Sequence, residues 1–414
     1  MTRNVVPPRG QRGIRYGLAI PRHIVWQRSS VHHTAASTGW WARIKIALIR
    51  HQALTVLASA APTLLICLGV LLWSIGNPLG QIGESPILAD GDSGALYARV
   101  GNTLYPVLNL ASARLITGRS DNPHQVRSSA IAALRRGPVV GIPGAPSGFS
   151  PTSPVSSSWL VCDALAPVPA SGAAPVVTVI DGVPDMSGRQ RILGESDAVV
   201  LRYGNETWVI RQGRRARVDP PDRSTLSLLG LTPDQLRQVP TMSRALYDAL
   251  PVDSEFPVLS ADLNGQLKVV DMQDNPTTCW WWERTAGEGR ARVHVVSAPA
   301  VPVAATEVNN FVPLAKSDTS GSAADRFYFG PGYANFVVAV ETNPPTPETL
   351  FWLENSGVRF GVDATGATRS ALGLLAAPSP APWAALRLLV PGPTLSRASA
   401  LLRHDAGHGD VSPR

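Results

Sequence analysis

The sequence predicts one membrane-spanning helix followed by a large, β-rich α+β region outside the membrane, with small repeats interleaved around a central sheet. Three observations carry this: an uncharged run of 23 residues, a charge asymmetry around it, and a hairpin-then-apolar-run pattern that recurs downstream. The run covers residues 53–75 and reads ALTVLASAAPTLLICLGVLLWSI. As a helix it is ~34 Å long at the usual rise per residue, against a hydrocarbon thickness of ~30 Å. Pro62 lies inside it, and membrane helices tolerate proline because neighbouring groups satisfy the freed carbonyl. A cleaved signal peptide is the competing reading, but its apolar part is usually about 7–15 residues and ends near a small-residue site. This run is longer, begins 52 residues into the chain and has no such site close behind it. An uncleaved anchor, with the lipid bilayer as its partner, is the expectation.

The flanks set the orientation. Nine basic residues precede the run (Arg3, Arg9, Arg12, Arg15, Arg22, Arg28, Arg43, Lys45 and Arg50), with no Asp or Glu among them. After it the first charges are Glu84, Asp90 and Asp92. Basic residues stay on the cytoplasmic side, so the N-terminus is expected inside and the chain from about Gly76 onward outside. Trp40, Trp41 and Trp73 fit the interfacial aromatic belt. The chain has 37 Lys and Arg, and setting those nine aside leaves 28 against 30 Asp and Glu. The basic balance therefore belongs to the short leading segment, whose attraction is to anionic lipid heads. A nucleic-acid binder would need a basic face on the folded region.

Three cysteines sort by compartment. Cys67 falls within the run and reads as a small apolar residue. Cys162 and Cys279 fall where disulfides persist. A bridge between them would close a loop of over 100 residues, worth ~4–5 kcal/mol on the chain-entropy model. Metal ligation or a reactive thiol is the alternative, and neither a CxxC nor a nearby His cluster favours it.

Residues 1–52 are broken by Pro7, Pro8, Gly10, Gly13 and Pro21, and only residues 41–50 suggest a short helix. Residues 76–84 read as a linker. Two β-prone runs then flank Gly101 and Asn102, a hairpin signal, and residues 108–116 read as an apolar return. Pro123 is expected to open a helix carrying Val126, Ala130 and Leu134 at helical spacing and ending at Gly137. GIPGAP (141–146) is a rigid loop, and SWLVCD (158–163) and PVVTVI (175–180) are buried central strands. A second hairpin turns at Tyr203, Gly204 and Asn205. Thr232, Pro233 and Gln235 give a cap, a first-turn proline and a capping-box partner, and a further helix is expected over 241–250. QLKVVDM and TTCWWWER read as central strands, the latter burying Cys279. NFVVAV (335–340) and residues 349–363 are the last strands.

Internal similarity links residues 216–231 (ARVDPPDRSTLSLLGL) to 360–374 (FGVDATGATRSALGL), with 103–115 as a looser third copy. Each shows a strand, a polar turn and an apolar run, at unequal separations that exclude a regular solenoid. The alternative is a generic hairpin and helix recurring by chance.

These residues carry a resemblance. SGALYARVGNTLYPVLNLASARLITG, GIPGAP, the separate WLVC and CWWW segments, GVRFGVD and APWAALRLLVPGPTLSRA look like the EccB family. EccB proteins are membrane core components of the type VII (ESX) secretion system of mycobacteria and relatives. The likeness runs from about residue 82 to 398. It implies an elongated periplasmic region behind a single inner-membrane span, with a central β-rich domain and small repeats around it. It implies a disulfide, for which Cys162 and Cys279 are the matching positions. It implies partners EccC, EccD and EccE, together with other EccB copies. The expected division is 1–52 cytoplasmic, 53–75 span, 76–150 linker and first repeat, 151–185 central domain, 186–260 middle repeats, 261–318 central domain again, 319–398 last repeat and 399–414 disordered tail. One departure stands out. The family's cytoplasmic stretch of mixed charge, ending in a Met-Leu-Asp-Asp-Pro-like motif, has no counterpart in residues 1–52. Either the gene start differs or this copy docks differently on its cytoplasmic side.

No catalytic, cofactor or metal residue is expected. Gly91, Asp92, Ser93 and Gly94 resemble a serine-protease GDSG, yet every His before Ser93 lies on the far side of the span, so a turn is the reading. Family members have been described as ATPases, so ATP enters as the alternative. A phosphate cradle needs a Gly-rich loop running into a helix, and neither Lys268 nor Lys316 follows one. Arg214, Arg215 and Arg217 read as a solvated strand end, and His404 and His408 as part of the polar tail. The function expected is a non-enzymatic scaffold of the secretion channel, with ATP hydrolysis or peptidoglycan binding as the competing classes.

Overall fold

The computed structural model describes residues 62–70, 82–152, 154–165, 174–218, 223–253, 267–285, 287–315, 321–340 and 349–404. The chain divides into two units, Met1–Pro78 and Leu79–Arg414. Within the first, residues 62–70 form helix α1, exposed along its length and carrying the free Cys67. The remainder of the expected span and all of residues 1–52 lie outside the described residues. Among the described residues no helix is long and apolar enough to cross a membrane.

The second unit opens with β1 (Ile87–Asp90), β2 (Leu96–Val100) and β3 (Thr103–Val107), an antiparallel run turning at Gly101 with φ +60°. Residues 108–116 do not return as a strand: α2 (Leu110–Thr117) forms there instead. Asn109 caps it by accepting from the Ser112 amide, and Gly118 ends it in the left-handed region at φ 70°. The helix expected from Pro123 is also replaced. His124–Val126 is strand β4, parallel to β1, and only Ser128–Ala132 (α3) is helical. Pairing with an open strand edge outweighs the helical spacing there. β5 (Arg135–Arg136) then runs parallel to β3 and gives the order β4-β1-β2-β3-β5.

β6 (Ser156–Ala164) and β7 (Val176–Asp181) enter the central sheet as read, followed by the short β8 (Arg191–Ile192). The second hairpin gives β9 (Asp197–Tyr203), β10 (Glu206–Arg211) and β11 (Arg214–Val218). Helices α4 (Arg223–Leu229), α5 (Pro233–Arg237) and α6 (Arg244–Ala249) follow, α5 with the full Thr232–Gln235 capping box. β12 (Lys268–Val269), expected in the central sheet, pairs instead with β9 in the sheet β11-β10-β9-β12. The central sheet resumes with β13 (Thr277–Thr285), β14 (Arg292–Ala298), β15 (Val312–Pro313) and β16 (Arg326–Phe329). Its order is β15-β16-β7-β6-β13-β14-β8. β8 and β16 thus belong to the central sheet, although residues 186–260 and 319–398 were expected in repeats. β8 pairs with β14 and β16 with β7, which draws both across those borders.

The last segment forms β17 (Phe336–Val340), β18 (Leu350–Leu353), β19 (Val358–Val362), α7 (Gly366–Leu372), β20 (Ser379–Pro382), α8 (Trp383–Leu386), β21 (Val390–Pro391) and α9 (Arg397–Ala400). Its order, β20-β17-β18-β19-β21, matches the first repeat strand for strand, with β20 and β21 parallel to their neighbours as β4 and β5 are. β20 and β21 carry Pro380, Pro382 and Pro391, which only an outer strand accepts readily. The middle segment follows the same path. Thr241 bridges β9 in parallel and Val252 bridges β11 in parallel, the places of β4 and β5 reduced to single residues. Three copies of one β-β-β-α-β-α-β path therefore flank the central sheet.

Residues 399–404 are not a loose tail. Ser396 caps α9 on the Ser399 amide, Arg403 bridges Val140, and the His404 ring meets the Gly141 carbonyl at 2.7 Å. Residues 405–414, with His408, lie outside the described residues, as does Lys316.

Cys162 and Cys279 sit opposite one another in the β6–β13 register, Cα to Cα 4.0 Å, joined as a disulfide across a separation of 117 residues. Both are fully buried. Replacing Cys279 with Ser is expected to lower the melting temperature of residues 79–414 by several degrees, since a loop this long is worth ~4–5 kcal/mol. Equal melting with and without reductant is the result that would count against it.

Candidate functional site

The arrangement with functional weight is the frame in which the repeats are held on the central sheet. β13 alternates strictly: Trp280 and Trp282 enter the large core with Trp159, Val161, Val177 and Val179, while Cys279 and Trp281 enter a smaller core with Leu160 and Ile180. The large core also takes Val199, Leu201, Trp208 and Ile210 from the middle repeat and Val337, Ala339, Phe351 and Leu353 from the last. Both repeats thus pack on one face of the central sheet. The last repeat is buried on its other face as well, where Phe336, Trp352, Phe360 and Val362 meet Ile87, Ala98 and Leu115 of the first. That is why NFVVAV and LFWL read as unbroken apolar runs.

Two buried carboxylates fasten the repeats to the same face. On β6, Asp163 accepts from the Ser243 amide and hydroxyl at 2.6 Å each, gripping the residue that caps α6. Burial pushes its pKa up to about 7, against the lowering pull of those bonds. On β7, Asp181 accepts from the Ala334 amide, where the chain enters the last repeat, and burial raises its pKa well above the carboxylate range. Within the central sheet, the half-buried Asp325 accepts from the Val177 amide at 2.8 Å and ties the start of β16 to β7.

Two of the helix contacts join like to like. α2 packs on α7, with Arg114 Nη1 3.5 Å from the Leu372 carbonyl, and α6 packs on α8, with Asp248 3.1 Å from Arg387 and 3.3 Å from Arg244. α7 and α2 hold the same place in their repeats, as do α6 and α8.

Arg215 departs from the solvated reading. Its Nη1 donates to the carbonyls of Tyr247 and Leu250, and its guanidinium lies 3.8 Å from the Tyr247 ring centroid and 5.4 Å from that of Trp208. It locks α6 to β11. Arg217 does remain at the surface, 3.1 Å from Glu206. Gly91–Gly94 is a turn: Asp90 accepts from the Asp92 amide, the Ser93 hydroxyl and the Ser128 hydroxyl, which together lower its pKa to about 2. Ser93 is thus a turn ligand of Asp90. Among the described residues no group of three His, Cys, Asp or Glu could hold a metal ion.

Sequence reasoning placed Cys162 and Cys279 but missed Asp163, Asp181, Ser243 and Arg215. The one available signal was an acid ending each apolar strand, in WLVCD and VVTVID.

The family model described as "Type VII secretion system ESX-1, transport TM domain B" matches residues 42–266 and 261–407. The ESX-5 secretion system ATPase EccB5 of Mycobacterium tuberculosis is 48% identical, covering 98% of this chain and 98% of that protein. A chain of an intact ESX-5 inner membrane complex superposes with TM-score 0.73 at 46% identity, covering 92% of this chain and 98% of its own length. An EccB3 dimer from the ESX-3 core complex gives TM-score 0.65 at 26% identity, covering 77% of this chain and all of that one.

The Asp163 joint carries a pH dependence of definite sign. Between about 4, the ordinary carboxylate value, and about 7, the folded chain keeps a proton that the unfolded chain has released. The contribution of this group to stability therefore falls as pH rises across that window and stays low above it. Melting of residues 79–414 should drop more steeply from pH 4 to 7 in the wild type than in Asp163→Asn. Parallel melting curves for the two would refute the assignment.

Proposed function

The chain belongs to the EccB family of type VII secretion, and we propose on that footing that it is a scaffold component of an ESX-5-type inner membrane complex. Residues 53–75 anchor it as a single span with the N-terminus in the cytoplasm, and the unit from Leu79 onward stands in the periplasm. Its partners are further EccB copies and the EccC, EccD and EccE components. The observation that carries the reading is the near-complete match to EccB5, at 48% identity against 33% for EccB2 and 30% for EccB3 of Mycobacterium tuberculosis.

The physical design suits the role. Three repeats of one path are held on a disulfide-tied sheet, the middle and last directly and the first through the last, so the region holds its surfaces at set separations. Arg and Asp at the joints are spent on orienting helices, as Arg215 orients α6. The relatives' names include the word ATPase, so hydrolysis of ATP is the second reading. It needs a phosphate cradle, which the sequence does not offer in the form of a Gly-rich loop leading to Lys268 or Lys316.

Tagged full-length chain extracted from membranes in mild detergent is expected to migrate on a native gel in a very large complex with the other core components. Migration alone, as a monomer or dimer, would overturn the scaffold reading. ATP hydrolysis that tracks the purified chain through successive columns would favour the second reading instead.

A further inference from the structure

Where the β13–β14 hairpin nears its turn, the large core stays open at one end. The opening is a cleft of about 420 Å³, a size that suits a small organic ligand, lined by Trp282, Ala291, Val293 and Val340 with Arg284 and Arg290. The four apolar residues belong to the large core or pack against it, and Trp282, fully buried, is the floor. Val293 stands opposite Trp282 in the ladder, and Gly213 of the middle repeat presses on it from behind: a Cβ there would come within 2.6 Å of the Val293 side chain. Val340 is the last residue of β17 and brings in the last repeat.

The charge of this cleft is unbalanced. Two arginines line it, and among the described residues no Asp or Glu does. The acids next to them in sequence are engaged elsewhere. Glu283 lies 2.9 Å and Glu288 3.8 Å from Arg292. Arg292 and Glu283 face each other on the opposite side of the ladder from Trp282 and Val293, because side chains alternate along a strand. Glu288 also accepts from the Thr285 amide at 3.1 Å. Arg284 is held in place, its Nε donating to the Glu288 carbonyl at 2.8 Å, while its two amino groups make no bond among the described residues. Arg290 is exposed and makes none either. Two guanidinium forks over an apolar floor suit a planar anion on an apolar body. A phosphate is served less well: the loop carrying Arg290 leads into strand β14, so no helix N-terminus supplies the amides that cradle phosphoryl oxygens.

We propose that this cleft binds the C-terminal end of a peptide, Arg284 and Arg290 taking the carboxylate and the floor taking an apolar last side chain. Such a ligand joins the central sheet to the last repeat at the one end where their shared core is open.

The test measures binding of acetyl-Leu-Leu to the purified full-length chain in mild detergent by titration calorimetry. The free acid should bind saturably, and the same dipeptide closed as its C-terminal amide should bind at least about tenfold more weakly. Arg284→Gln and Arg290→Gln should each weaken the acid at least about tenfold with melting unchanged, whereas Arg189→Gln, at an exposed position on a separate loop, should leave it as it is. No saturable binding of the acid would overturn the proposal. Equal binding of acid and amide would overturn the role of the carboxylate, and binding untouched by both arginine variants would overturn the site. Binding of ATP or inorganic phosphate that is lost in Arg284→Gln, with none of the dipeptide, would overturn the ligand class. None of these outcomes alters the migration on a native gel that tests the scaffold reading.

Discussion

The fold depends on one long-range pairing, β6 against β13. Nine residues run in register from Ser156 opposite Thr285 to Ala164 opposite Thr277, and the Cys162–Cys279 bond lies within that ladder. The two strands are 117 residues apart at the cystine, so joining them costs a large loop-closure entropy that the disulfide removes from the folding equilibrium. Between them β7 and β8 stay in the same sheet, while the whole middle repeat is an excursion that leaves it and returns. The bond is sealed in the smaller core under Trp281, away from solvent and thiols.

With that sheet fixed, its larger face acts as a mounting plate. The middle and last repeats press Trp208, Ile210, Phe351 and Leu353 into the same core as Trp159, Trp280 and Trp282. Apolar contact supplies the adhesion but little direction, because it is proportional to area and indifferent to angle. Direction comes from polar groups that cannot be left unmet once buried: Asp163 on Ser243, Asp181 on Ala334, Arg215 on the carbonyls closing α6. The last repeat is then caught between the central sheet and the first repeat. Its α7 and α9 hold α2 of the first, and its α8 holds α6 of the middle one.

Much of the fold was legible because alternation and turn chemistry are local. The Gly101 and Gly204 hairpins, the Thr232–Gln235 capping box and the central strands around Cys162 and Cys279 all follow from short windows. The misreadings share a cause. β4 was hidden in a helical spacing, β12 and β16 were assigned to neighbouring segments, and the proline-bearing β20 and β21 carried no strand signal. Each is a short strand at or next to a sheet edge, made by the neighbouring strand it meets, and that neighbour lies far away in sequence. The joints were illegible for the same reason: Asp163 and Ser243 are 80 residues apart, and nothing near either marks the other.

The sequence by itself determined the uncharged run, the charge bias on either side of it, the two cysteines that pair and the presence of three related segments, since composition and spacing carry these directly. The tertiary structure decided that those segments share one strand path, that equivalent helices pair, and that the basic cluster at Arg215 is an internal lock. Those outcomes arise from which buried polar groups and apolar faces find partners across the chain, and pairing at a distance leaves no local trace.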